Sequence, residues 1–192
     1  MIVLRELPIG IGATRAAILA IGAATMTVLV TPASAATDGT VGATSTGTVG
    51  ISASVPSRVR ITGLADVAFT NHDPVAAASS AQDVCVWSNT ATKGYSIVAT
   101  GSGASNAFTL TNGSATVPYS VQWSGTAGNT SGTALSTGTA ATGLVSTATN
   151  HQCASGPSNT ASLIVGISTA DLGTMQAATS YTGTLTLIVA PE

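Results

Sequence analysis

The stretch that decides the fold is SYTGTLTLIVAPE, residues 180–192. Apolar side chains alternate with threonines along it, which is the period-2 pattern of a strand with one buried face. That face consists of Tyr181, Leu185, Leu187 and Val189. The sequence shows neither a turn nor a partner strand after it, and an exposed apolar edge favours pairing with another chain. We therefore expect a second chain to complete the sheet at this edge.

The composition favours one exported domain. A chain of 192 residues with 44% hydrophobic content can bury a core of its own. Only 6% of its residues are charged, against about a quarter in ordinary soluble proteins. Such a neutral, hydroxyl-rich surface is typical of extracellular β-proteins. Five Lys and Arg residues provide no basic patch for phosphates, so nucleic-acid binding is not expected.

The N-terminus predicts export through the general secretory pathway. Arg5 and Arg15 precede the apolar run AAILAIGAATMTVLV, and TPASAA follows with the small-x-small arrangement of a cleavage site. We interpret residues 1–35 as a signal peptide. An uncleaved membrane anchor is the alternative, which the short run with its two threonines makes the weaker one.

Cys85 and Cys153 are the two cysteines of the chain. In an oxidising compartment they are expected to form a structural disulfide, and two free buried thiols are the alternative. A metal site is not expected, because His151 is the nearest histidine to Cys153 and no second ligand pair follows at metal-binding spacing.

The rest of the chain alternates between strand patterns and turn signals. The apolar residues of 41–55 fall on odd positions, namely Val41, Ala43, Val49, Ile51, Ala53 and Val55, and the pattern continues at Val59 and Ile61. This predicts one long strand or two strands joined near Gly47. Six to eight short strands with no amphipathic helix indicate an all-β, antiparallel sandwich of immunoglobulin-like, Greek-key type.

No catalytic motif emerges, so we expect neither an enzyme nor a cofactor. The two histidines outside the signal peptide, His72 and His151, lie in no recognisable local motif, and a Gly-x-Ser-x-Gly elbow is absent from the sequence. The aspartates fall at predicted turns and strand ends, where Asp commonly bonds the backbone.

Three stretches carry a resemblance to a known family: CVWSNTATKGYSIVATGSG, FTLTNGSATVPYSVQW and YTGTLTLIVAP. Together they resemble the spore-coat-protein-U-like group, which includes subunits of archaic chaperone–usher pili, over roughly residues 47–191. The resemblance implies an immunoglobulin-like sandwich that lacks its final strand. It also implies a periplasmic chaperone, an outer-membrane usher and copies of the same or related subunits as partners, on the way to a pilus at the cell surface.

In that family an N-terminal extension of one subunit supplies the missing strand of the next. On this chain the resemblance implies a donor segment at residues 36–48 and a pilin-like domain at residues 49–192. The implied donor residues are Val41, Ala43 and Val49, and the implied acceptor or chaperone edge is Tyr181, Leu185, Leu187 and Val189.

Two other interpretations remain open. Residues 41–48 could be a flexible linker on a complete sandwich, which would suit a secreted monomeric carbohydrate- or surface-binding module. Its stacking candidates are Trp87, Tyr95, Tyr119 and Trp123, although the alternation places Tyr119 and Trp123 in the core. A monomeric inhibitor or other periplasmic binding protein is a third class.

Overall fold

The computed structural model describes residues 35–192, so the predicted signal peptide lies outside the described residues apart from Ala35. The chain forms two compact units, one up to Ala53 and one from Ser54 to Glu192. In the described part of the first unit, Thr37 and Thr48 form an isolated antiparallel bridge through two N–H···O bonds of 2.9 Å. The boundary predicted at residues 48 and 49 stays a prediction.

The second unit is a sandwich of antiparallel strands. Its elements are β1 (Val59–Thr62), β2 (Ala78–Ser88), β3 (Gly94–Gly101), β4 (Thr109–Thr111), β5 (Thr116–Pro118), β6 (Ser120–Ser124), β7 (Thr133–Ala134), β8 (Ala140–Val145), β9 (Ala161–Ile167), α1 (Thr169–Leu172) and β10 (Leu185–Pro191). One sheet has the order β1-β2-β9-β6-β7, a second has the order β10-β3-β8, and β4 pairs with β5. The predicted all-β, antiparallel sandwich is confirmed, with ten strands in place of six to eight.

The core lies between the two larger sheets, because alternate residues of each strand face inward. Val121 and Trp123 of β6 are buried there together with Tyr95 and Ile97 of β3. The Trp123 indole Nε1 donates a hydrogen bond of 3.2 Å to the Tyr95 hydroxyl, so the one polar atom of the indole is satisfied inside the core. The prediction that Tyr119 and Trp123 are core residues is confirmed.

The predicted disulfide between Cys85 and Cys153 is confirmed. Val84 and Val86 of β2 face the core, so Cys85 between them lies on the outer face of the sheet, where it packs with Ala148 and Cys153. The bridge therefore holds the loop between β8 and β9 over the outside of β2. It joins residues 68 positions apart, a span for which the chain-entropy model gives about 4 kcal/mol of stabilisation.

The predicted long strand through residues 41–61 is wrong for most of its length. Only Val59–Thr62 is a strand. Residues 49–58 are exposed, and within the described part of the chain residues 49–55 have no hydrogen-bonded partner, whereas Pro56 and Arg58 bond to Asn89. Alternation predicts which side chains would share a face if the segment paired as a strand. It does not predict whether a partner strand exists, and the described residues contain no partner strand for this segment. Pro56 also removes a backbone donor, and Gly42, Gly47 and Gly50 favour the strand conformation weakly.

Candidate functional site

A large groove, lined by apolar side chains together with uncharged polar groups, opens in the second unit beside the last strand. It has a volume of about 1350 Å³ and lies between the segment 64–74 and residues 181–187. Small-molecule sites usually measure about 300–1,000 Å³, so this cavity has room for a longer occupant. We call it the edge groove.

The first wall of the edge groove is β10. Leu185 and Leu187 line it and are only half-buried, while Thr186 between them points to solvent. β10 pairs with β3 along its whole length, from Leu185 opposite Gly101 to Pro191 opposite Tyr95. Within the described residues no strand pairs with its other edge, so alternate N–H and C=O groups on that side are free to accept a further strand.

The second wall is the segment 64–74, which continues from β1 after pairing with β2 has ended. The Gln82 side chain holds it in place: its Oε1 accepts from Ala65 N at 2.7 Å, and its Nε2 donates to Ala65 O at 3.0 Å. Val67 and Phe69 pack toward the core. For residues 66–72, the described chain provides no hydrogen-bond partner for a backbone N–H or C=O. This wall therefore also presents unpaired backbone.

The floor is built by Tyr119 and by Leu163, Val165 and Ile167 of β9. Alternate residues of a strand lie about 7 Å apart on one face. The three apolar side chains of β9, which we call the apolar steps of the floor, therefore have the same spacing as the inward side chains of a strand that lies along the groove. The Tyr119 hydroxyl is buried without a hydrogen-bond partner among the described residues. Burial raises the pKa of Tyr119 above its usual value, so the phenol is neutral at physiological pH.

The edge groove is almost uncharged. Among its lining residues Asp66 carries the one formal charge, His72 is the one imidazole, and no Lys or Arg is present. A nearly uncharged trough with an apolar floor, between two unpaired backbone edges, suits a β-strand with apolar side chains on one face. It does not suit a phosphate or a polyanion, which would need cationic partners.

The structure brings together three of the four residues predicted for the acceptor edge. Tyr181, Leu185 and Leu187 all line the edge groove, whereas Val189 packs on the core without contributing to the lining. The predicted donor residues Val41, Ala43 and Val49 belong to the first unit and are exposed. Their role stays a prediction.

Sequence reasoning missed the second wall. The signal that could have found it lies in ADVAFTNHDP, residues 65–74, where Val67 and Phe69 show the alternation of an extended segment with one inward face. Leu172 and Met175, in and after α1, also line the groove. Only the fold places these distant residues opposite β10.

The aromatic side chains form no open platform in the described residues. Tyr95, Tyr119 and Trp123 are buried. Trp87 is half-buried on the outer face, where its ring meets His151 edge-on at 5.8 Å between centroids. Two exposed aromatic rings side by side, which sugar stacking would favour, are therefore missing from residues 35–192.

Neither a metal-binding cluster nor a membrane-spanning helix is present in residues 35–192. No group of three or more His, Cys, Asp or Glu side chains is arranged to hold a metal ion. No helix among them has both the length and the apolar character to cross a membrane.

Comparison of the chain with models of known protein families and with curated proteins finds no match. The resemblance to the spore-coat-protein-U-like group accordingly stays a prediction from sequence.

Proposed function

We propose that this protein is an exported structural subunit of a surface pilus, fimbria or coat, and that its copies polymerise by strand exchange. The N-terminal extension of one copy enters the edge groove of the next and adds a strand to β10. The observation that carries the proposal is the edge groove itself, a nearly uncharged trough with an apolar floor and with unpaired backbone on both walls.

The strand order supports an incomplete immunoglobulin-like sandwich. In the immunoglobulin arrangement, strands A, B, E and D form one sheet and C, F and G form the other. Here β1, β2, β9 and β6 are neighbours in that order, and β10 pairs with β3. If β10 takes the place of strand F, the free edge of β10 is where strand G would lie. An entering donor would fill that vacant position.

Strand addition has an adequate physical basis in this groove. Each main-chain hydrogen bond contributes about 0.5–1.5 kcal/mol net, and each fully buried Val, Leu or Ile side chain about 1.5–3 kcal/mol. Leu185 and Leu187, half-buried in the free subunit, would be covered at the same time. Main-chain pairing would supply affinity and the apolar steps of the floor would supply specificity.

A free subunit with such a groove requires protection before assembly, because an unpaired apolar edge promotes aggregation. A periplasmic chaperone that covers β10, and an outer-membrane usher where it is exchanged for the next subunit, are the partners proposed on this ground. Neither nucleic acid nor a small-molecule cofactor has a part in the proposal.

The alternative of a monomeric carbohydrate-binding module receives less support. Three of its four stacking candidates are buried, and only Trp87 retains partial exposure. A ligand platform cannot be formed by rings that the core already covers.

The proposal can be tested with two arrangements of the chain. One begins at Ala36, and in the other residues 36–57 are moved to follow Glu192 through a short glycine-containing turn. We expect the first to form multimers in size-exclusion chromatography and ladders on unheated gels, and the second to be a monomer with a higher melting temperature. A version with the moved residues scrambled is the control and should gain no stability.

The opposite result would overturn the proposal. If both arrangements are monomers of equal stability, the sandwich needs no added strand, and a secreted binding module becomes the better interpretation.

A further inference from the structure

We infer that the donor strand comprises residues 48–55 and not residues 41–48, with Val49, Ile51 and Val55 as the side chains that fill the edge groove of the next copy. This inference rests on the proposed function and deepens it by naming the segment that binds. It shifts the donor toward the sandwich relative to the segment 36–48 expected from the resemblance.

Exposure of large apolar side chains is the first argument. Val49, Ile51 and Val55 are 76%, 94% and 83% exposed. They lie on one face of an extended chain, while Gly50, Ser52 and Ser54 between them are small. Solvated linkers are usually polar, so three β-branched apolar residues on one face are not typical of a linker. Such a face is typical of a strand that another surface covers.

The segment predicted from the resemblance fits less well. Val41 is also fully exposed, but the next residues on its face are Ala43, Ser45 and Gly47, which offer almost no apolar surface. The benefit of burial scales with apolar area. Residues 41–48 would therefore leave the apolar floor of the edge groove largely unfilled.

Spacing is the second argument. Leu163, Val165 and Ile167 present apolar steps two residues apart along the floor. Val49, Ile51 and Ala53 are spaced in the same way, and Val55 extends the row by one step. A strand laid along the groove therefore meets one apolar step with each inward side chain. Any extended segment has this spacing, so side-chain size distinguishes the two segments: Val49 and Ile51 offer the floor more apolar surface than Ala43, Ser45 and Gly47 do.

The connection to the subunit's own sandwich is the third argument. Between Val55 and β1 lie only residues 56–58, and Asn89 holds both ends of this linker. Its Nδ2 donates to Pro56 O at 2.9 Å, and its Oδ1 accepts from Arg58 N at 2.6 Å. A short linker fixed by a side chain and by proline has few conformations to lose, which lowers the entropic cost of binding the strand before it.

The test compares Ile51→Asp with Val41→Asp in the chain that begins at Ala36. Both replace an exposed valine-sized or larger apolar residue by the same charge, so the two variants are matched. We expect Ile51→Asp to reduce the multimer fraction at least tenfold, because a carboxylate would be buried in a neutral groove. Val41→Asp should change it less than twofold. Disulfide formation and the melting temperature of the monomer should be unchanged in both.

A peptide experiment gives an independent result. The Ile51→Asp monomer keeps its own edge groove, so a peptide of residues 47–57 should bind it and raise its melting temperature. A peptide of residues 36–46 should not.

Other outcomes overturn the inference in distinguishable ways. If neither variant reduces the multimers, both the inference and strand exchange through the N-terminal extension fail. If Val41→Asp abolishes multimers, alone or together with Ile51→Asp, the donor is not confined to residues 48–55, while strand exchange survives. The same holds if only the peptide of residues 36–46 binds. If the unmodified chain is a monomer that gains no stability from rearrangement, the proposed function itself fails.

Discussion

Each half of β2 lacks a neighbouring strand on one side, but the gap is filled by other groups beside one half and left open beside the other. Pairing with β9 covers residues 78–84 and pairing with β1 covers residues 85–88, so each half has one flanking strand and one gap. Beside residues 85–88 the gap is sealed. Thr160 Oγ1 accepts from Val86 N at 2.9 Å, the Ser146 hydroxyl donates to Val86 O, and the disulfide fastens the covering loop.

Beside residues 78–84 the gap is left open. A single side chain, Gln82, holds the passing segment at Ala65, and for residues 66–72 the described chain offers no backbone partner. Beside residues 85–88 of β2, serine and threonine hydroxyls thus form the hydrogen bonds that a neighbouring strand would otherwise form with the backbone. At the edge groove no such bond reaches the backbone of residues 66–72, although Thr70, Thr182 and Thr184 are among the lining residues, so this backbone remains available for the incoming strand proposed above.

The largest effect on stability is expected from removing the disulfide that holds the covering loop beside residues 85–88 of β2. Replacing Cys85 and Cys153 together by alanine should lower the free energy of unfolding by about 4 kcal/mol, because the denatured chain is released from a long covalent loop. Urea unfolding of the double variant, beside the oxidised and the reduced wild type, measures this. A loss below about 1 kcal/mol would show that the covering loop is held without the bridge.

The second prediction compares a buried core residue with a groove residue. Ile97→Ala on β3 should cost about 2–5 kcal/mol, because the side chain is fully buried and leaves a cavity. Leu187→Ala on the neighbouring β10 should cost only about 1 kcal/mol in the monomer, because Leu187 is half-exposed. Urea unfolding of both variants gives the difference.

Ile188→Ala is the matched control for Leu187→Ala, since Ile188 is the exposed neighbour on the same strand. It should change stability by less than about 0.5 kcal/mol. If Leu187→Ala costs as much as Ile97→Ala, the edge groove is already filled in solution and the contrast between the two regions disappears.

The sequence predicts features that depend on side-chain type alone, and it fails to predict features that depend on contacts between distant residues. Local alternation correctly placed Leu185 and Leu187 on one face of β10, and the redox argument correctly paired Cys85 with Cys153. Both are consequences of side-chain type and compartment, which a sequence displays directly.

The position of the second wall could not be predicted, because the alternation of Val67 and Phe69 marks only an extended segment, and no local pattern encodes the contact between Gln82 and Ala65 that places it. The overpredicted strand through residues 41–58 failed for a related reason. Alternation marks a segment that is able to pair, but whether a partner is present depends on the rest of the fold, or on another chain.

The third prediction loosens the open half further. Gln82→Ala removes both bonds to Ala65 and should cost about 1 kcal/mol, together with faster amide exchange at Ala65. Gln82→Glu keeps the acceptor for Ala65 N and loses the donor, so its effect should be intermediate. Hydrogen exchange followed by NMR measures both.

Gln122→Ala is the control away from the groove, where it removes one bond from Gly132 N at 2.9 Å. It should leave exchange at Ala65 unchanged. Unaltered protection of Ala65 in Gln82→Ala would mean that something other than the glutamine amide holds this wall.

The smallest effect is expected at Asp83, on β2 next to Gln82. Its Oδ1 accepts from Gly128 N and from Ser162 Oγ, both at 2.7 Å, and these bonds, the backbone one first, lower the pKa of the carboxyl. The folded state therefore prefers the ionised form, so the bonds stabilise the protein above the unfolded pKa of about 4. That contribution should disappear as the pH falls through the lower folded pKa.

Asp83→Asn keeps an oxygen acceptor without the charge and should lack this acid-dependent loss. Urea unfolding from pH 7 to pH 2 compares the two chains, and parallel profiles would show that the Gly128 and Ser162 bonds do not favour the ionised carboxylate.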